Sequence, residues 1–218
     1  MKLVFGVGYK DPGTKMQWVE EGRVVQCPYY RLWSSILRRS YSEVFHKANP
    51  TYAGCTVCEE WHKFENFKAW VKSQPNLLLW LSNRREVHLD KDIIGDGNYN
   101  PQGCVFVPRV INGLFNDHGK EESIPLGVHF DRGSGKWKSQ ISKNGKREFL
   151  GRYESMLDAH LSWLTAKANY IMLVRKEYLL HGGNDRVATE LKRRAAILMR
   201  LSIQGESVYN FGGDIWSR

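Results

Sequence analysis

The sequence predicts an α+β fold in two parts: a strand–loop–strand–helix unit, then a three-stranded antiparallel sheet packed on a long helix. Three observations predict it. Two strand-like runs, EVHLDKDI and CVFVP, flank the turn-rich IGDGNYNPQG and lead into RVINGLF. From Ile124 onward, IPLGVHF, KWKSQIS and KREFLGRY are three short strand candidates, separated by DRGSG and KNG. Elsewhere, apolar residues recur every three to four positions, which is helical spacing.

Taken in order, residues 1–26 form an N-terminal extension with a short strand or two. Cys27-Pro28 opens a helix through YYRLWSSILRRSYSEVF, whose apolar side carries Tyr30, Trp33, Ile36, Leu37 and Tyr41 and whose polar side carries Arg31, Arg38 and Arg39. HKANPTYAG is a turn-rich link to the CTVC knuckle. Trp61, Phe64, Phe67, Trp70 and Val71 then make an aromatic helical stripe, read as core. QPNLLLWLSNRR fits either a helix end or a buried strand. The polar stretch 116–123 is the best domain boundary, giving a unit over 27–118 and another over 119–181. In the second, Asn144-Gly145 signals a tight hairpin. Ser155, with Asp158 three residues on, caps a helix that stops at Gly182-Gly183. A basic helix from about Arg186 to Leu201, with Val187, Leu191, Leu198 and Leu201 as a packed stripe, and a tail fill 182–218.

Composition narrows the function. Hydrophobic residues make up 42% and charged residues 25%, with 8 Trp, 10 Tyr and 9 Phe, which excludes a disordered or low-complexity chain. The net charge of +9, larger after Gly119 than before it, points to a polyanionic partner, because neutralising phosphates releases counterions. No run of 18 apolar residues exists, so no membrane span is expected. The N-terminus lacks a signal-peptide pattern, so the expected location is the cytoplasm, with its four cysteines reduced.

Alternation divides the sheet. Val128, Trp137, Ile141 and Leu150 are expected under the helix, which offers Ala159, Trp163 and Ala166. The other face is expected to carry Lys136, Lys138, Gln140, Ser142, Arg147 and Phe149. The run from Gly127-Val128 through Gly135-Lys136-Trp137, Ile141, Leu150-Gly151 and the Ala-rich helix resembles the APETALA-type (ethylene-response-factor) DNA-binding domain over about 45 residues. The resemblance implies a sheet docked in the major groove of double-stranded DNA with His129, Gln140, Ser142, Arg147 and Phe149 facing it. Lys136, Lys138 and Lys143 are expected to contact phosphates.

The segment from about Cys27 to Asn112 carries CPYYRLW, RRSY, TYAGCTVCEEW, LDKDI, YNPQGCVFVP and IN. These words resemble phage-encoded HNH endonucleases, including free-standing homing types, some of which join an HNH unit to an APETALA-type domain. The resemblance implies a ββα-metal (HNH-like) unit that cuts or nicks DNA with Mg²⁺ or Mn²⁺, in the host cytoplasm. By position, Asp90, Asp92 and Asn112 are the expected magnesium ligands, and Asn98 and Asn100 the residues that pin the loop. The general base falls on His88 or Asp90. Cys55-x-x-Cys58 has zinc-knuckle spacing; Cys27, Cys55, Cys58 and Cys104 form a candidate structural Zn²⁺ set, with His62 as substitute, or else are buried free thiols. Two other functions stay open: a non-catalytic DNA-binding regulator, and an anti-host factor that uses the C-terminal helix.

Overall fold

The computed structural model describes residues 3–116, 123–212 and 215–216. The chain is mixed α+β and divides into two units, Met1–Arg109 and Val110–Arg218. The boundary expected at 116–123 lies largely outside the described residues. No helix among the described residues is long and apolar enough to cross a membrane.

In the first unit, Val4, Val7 and Gly8 pack against the core ahead of Cys27, whereas the hairpin between them and Cys27 is largely exposed. Strands β1 (Gln17–Glu20) and β2 (Arg23–Gln26) form an antiparallel hairpin, and Tyr9 bridges to Lys63. At Gly8 a Cβ would lie 2.4 Å from Leu37 Cδ1, so only glycine lets this backbone approach helix α1 (Pro28–Tyr41). The expected long first helix breaks at Ser42, whose extended backbone and Oγ, accepting from Phe45 N, cap a separate helix α2 (Glu43–Ala48). Helix α3 (Phe64–Lys72) buries Phe64, Phe67 and Val71. These pack with Trp33, Trp61 and Trp80 in one aromatic core, where Trp61 meets Phe67 edge-on at 5.1 Å. The ambiguous segment is helical, as α4 (Leu77–Ser82). Strands β3 (Val87–Asp90) and β4 (Val105–Pro108) pair antiparallel, with Asp90 opposite Val105. One turn of helix, α5 (Arg109–Asn112), follows, and the division between the units falls inside it.

The second unit is a sheet with two helices. Strands β5 (Val128–Asp131), β6 (Lys136–Lys143) and β7 (Lys146–Tyr153) are antiparallel in the order β5-β6-β7. Asn144 and Gly145 both take positive φ, 50° and 75°, as the hairpin signal requires. Leu150 departs from the expected alternation. The register shifts between Ser139 and Gln140, so Leu150 is the extra residue of a bulge and is only half-buried, while Val128 and Ile141 are buried as expected. Helix α6 (Met156–Leu180) starts at Ser155, whose Oγ accepts from Asp158 N at 3.0 Å. Helix α7 (Asp185–Gln204) packs along α6 and buries Val187, Leu191, Leu198 and Leu201. The C-terminal helix and tail therefore belong to the sheet unit. Val208 O accepts from Leu126 N at 2.9 Å just before β5.

Candidate nucleic-acid interface and catalytic hairpin

The outer face of β5–β7 is built by register. His129 pairs with Lys138 and Lys138 with Arg152; beyond the bulge, Gln140 pairs with Phe149 and Ser142 with Arg147. Phe149 is 49% exposed, and Lys138 Nζ and Arg152 Cζ lie 5.6 and 5.3 Å from its ring centroid. Two cations thus flank an exposed aromatic plane. Arg152 escaped the sequence reading because the bulge at Leu150 resets which β7 residues face outward. Its Nε donates to Asp131 Oδ2 at 2.8 Å and holds that carboxyl below its usual range. Lys136 on the same face is paired with Glu154. Lys143 differs from the expected set. Alternation from Ile141 turns it to the opposite face, where its Nζ meets Glu148 at 2.9 Å.

The β3–β4 hairpin positions the candidate catalytic residues. Strand β3 ends at Asp90, three residues before the end of the expected run EVHLDKDI. Asp90 Oδ1 accepts from Asp92 N at 2.9 Å and Ile93 N at 2.7 Å, an Asx turn that leaves the ladder. Asp92 therefore does not share a strand face with Asp90; its carboxylate is largely exposed and pairs with Lys91 Nζ at 2.7 Å. Burial opposes the Lys91 charge and Asp92 more than restores it, so the ammonium titrates above its ordinary range and is no base. His88 stands two residues before Asp90 on β3, on the same face and about 7 Å along the strand. Its Nε2 donates to Arg85 O at 3.1 Å, so in the neutral ring the basic nitrogen is Nδ1. Asn112 lies in α5, in the second unit. Asn100 Oδ1 accepts from Gly103 N at 2.6 Å and pins the loop from within. Asn98 reaches further, and its Oδ1 accepts from Thr56 N and Oγ1, both at 2.9 Å.

That contact joins the hairpin loop to the CTVC knuckle. Tyr99 N donates to Thr56 O and Cys58 N to Tyr99 O, at 2.8 and 2.9 Å. Cys55 Sγ donates to Gly97 O at 3.2 Å. All four cysteines line the first unit's core, Cys27 and Cys104 buried, Cys55 and Cys58 half-buried. Burial pushes the thiols of Cys55 and Cys58 up and that of Cys104 to about 12. His62 Nε2 bonds to Val57 O at 3.1 Å and to the Tyr41 hydroxyl. Among the described residues no three His, Cys, Asp or Glu side chains gather closely enough to share a metal ion. In kind the donors fit: carboxylate oxygens suit Mg²⁺, and thiols suit Zn²⁺.

Buried titratable residues in the second unit went unmarked in the sequence, His160 among them. His160 in α6 is fully buried; its Nε2 accepts from Val208 N and its Nδ1 donates to Leu126 O, both at 2.9 Å. Its only signal was a histidine on the apolar face between Ala159 and Trp163. The chain matches no protein-family model, no curated protein and no solved structure.

Proposed function

We propose that the chain binds double-stranded DNA through the outer face of β5–β7 and cuts or nicks it at the β3–β4 hairpin with Mg²⁺ or Mn²⁺. The observation that carries the reading is the sheet face, where Phe149 stands exposed between Lys138 and Arg152 beside Gln140 and Arg147. The two long strands β6 and β7 have the form of the ribbon that a major groove admits, and Arg147 and Gln140 suit guanine and adenine edges. Lys136 and Lys138 suit phosphates, and the charge of +9 supports attraction to a polyanion.

The cleavage half of the proposal rests on the strand–loop–strand order and on the donor set. Asp90 and Asp92 would hold the divalent ion. When bound, such an ion offsets charge on the phosphorus and the leaving oxygen. His88 is the base in this reading, because Asp90 is assigned to the ion and its Oδ1 already accepts from the amides of Asp92 and Ile93. Structural Zn²⁺ on Cys27, Cys55, Cys58 and Cys104, and a reducing cytoplasm, belong to the same proposal. A non-catalytic DNA-binding regulator is favoured by one observation, the Lys91 ammonium on Asp92, which puts a fixed cation where a divalent ion would sit.

Duplex binding across a salt series tests the DNA contact. Arg147→Ala should weaken binding roughly 5- to 150-fold, the range of one lost base contact, and Lys138→Ala should lower the salt slope by about 1. Phe149→Ala should weaken binding without changing the slope. Wild-type affinity and slope in all three variants would refute the assignment of this face.

A further inference from the structure

Arg31, Arg84 and Arg85 converge on a cleft of ≈ 530 Å³ in the first unit, between α1 and the end of α4. Among the described residues no carboxylate pairs with any of the three. Like charges drawn together without a counter-charge repel, so the arrangement favours an anion that the chain itself does not supply.

The backbone holds the arginines in place. Asn83 O accepts from Glu86 N at 3.1 Å and from Val87 N at 3.2 Å, closing a turn with Arg84 and Arg85 at its tip. Arg31 lies in the opening turns of α1, at the positive end of a 14-residue helix with no acidic residue in its first turn. A cation there is unfavourable for the helix alone, and an anion in the cleft would reverse that sign. Ser35 and Ser82 add hydroxyls to the lining, and Trp80, 4% exposed, forms an apolar floor. Guanidinium groups around a partly dry floor suit phosphate, whose oxygens accept paired N–H bonds.

We propose that this cleft is a second DNA contact, a clamp on a backbone phosphate. It deepens the reading of the chain as a DNA-binding nuclease and rests on it. The clamp is coupled to the candidate catalytic strand, because Arg85 O accepts from His88 Nε2 at 3.1 Å, two residues ahead of Asp90. A phosphate held by Arg84 and Arg85 would therefore set where the strand base lies along the DNA backbone. The clamp touches no base edge, so it adds affinity without sequence preference.

The test is duplex binding by the full chain across a salt series, for wild type, Arg31→Ala, Arg84→Ala/Arg85→Ala and Arg84→Lys/Arg85→Lys. All three arginines are exposed, so the fold should survive, and thermal melts confirm it for each variant. Each lost phosphate contact should lower the slope of log K against log salt by about 0.9, or roughly eightfold in affinity per contact at 0.1 M relative to 1 M salt. The double alanine variant should thus lose about 1.8 in slope, equally on specific and random duplexes, and the lysine variant should retain most of it. An unchanged slope in both alanine variants, with wild type binding DNA normally, overturns the clamp and leaves the sheet-face reading standing. Wild type binding no duplex overturns both. Inorganic phosphate is the second arm. If it stabilises wild type but not the double alanine variant, while the DNA slopes agree, the cleft belongs to a small free anion and the backbone assignment falls.

Discussion

Replacing His160 should unfasten the strap that ties the C-terminal tail to the start of the sheet. The imidazole bridges Leu126 O and Val208 N at 2.9 Å each, and its ring stacks on Trp163 at 5.9 Å. His160→Ala leaves a carbonyl and an amide unpaired in the interior, at about 1–3 kcal/mol each, and opens a void against Trp163. A total on the order of 4–6 kcal/mol follows, a large share of the roughly 5–15 kcal/mol typical of a domain. With a urea m-value of about 2 kcal/mol/M, the midpoint should fall by roughly 2–3 M. Acid should do the same more gently. Burial holds His160 below its usual range, so the unfolded chain binds the proton first as pH falls. The stability it supports is fully present above the unfolded value near about 6.5 and is lost as pH falls toward the folded one, by at most about 1.4 kcal/mol per pH unit. His160→Gln keeps a donor and an acceptor but does not titrate. Urea unfolding of wild type should therefore steepen against that variant below about pH 6.5 and run parallel to it above. Parallel curves throughout, or a midpoint in His160→Ala within about 0.5 M of wild type, would refute the strap.

Three further outcomes follow from local geometry. At Gly127, with φ +77°, an added Cβ would lie 1.9 Å from Trp163 Cδ1, so Gly127→Ala should cost about 3 kcal/mol or more and lower the melting temperature by roughly 10 °C in calorimetry. Asn98→Ala removes both bonds to Thr56, and hydrogen exchange at the Tyr99 amide should quicken several-fold while that of the α6 core does not. Metal analysis of protein purified without chelator should find about one zinc per chain; none would refute the four-cysteine site, and Cys104, its thiol at about 12, would then resist alkylation at pH 8.

Local chemistry made much of the fold legible. The Asn144-Gly145 turn, the Ser155 cap and the stripe Val187, Leu191, Leu198 and Leu201 each follow from residues within one or two turns of one another. The departures arise where one side chain competes with the regular pattern. Ser42 captures Phe45 N and splits a helix that apolar spacing alone would continue. Asp90 captures two amides and ends a strand that the run EVHLDKDI would extend to Ile93. The bulge at Leu150 brings Arg152 onto the outer face, and no periodicity announces it. Contacts distant in sequence were the least legible. Asn98 looked like a residue of its own loop, yet it binds Thr56, 42 positions earlier. Arg84 and Arg85 ended an ambiguous segment, and only the folded turn brings them to Arg31.

The central claim is metal-dependent cleavage at the hairpin, and nicking of supercoiled plasmid by the full chain tests it most directly. Asp90→Asn is the informative variant. Asparagine still offers an oxygen to the amides of Asp92 and Ile93, so the turn persists while the charge that would hold a divalent ion is gone. Wild type should convert supercoiled plasmid to open circles with Mg²⁺ or Mn²⁺ and not with excess chelator. His88→Ala should slow it roughly 10²- to 10⁴-fold, and Asp90→Asn should abolish it with duplex binding intact. Nicking that survives Asp90→Asn at the wild-type rate, or wild type that binds duplex and never nicks it with either ion, would contradict the account.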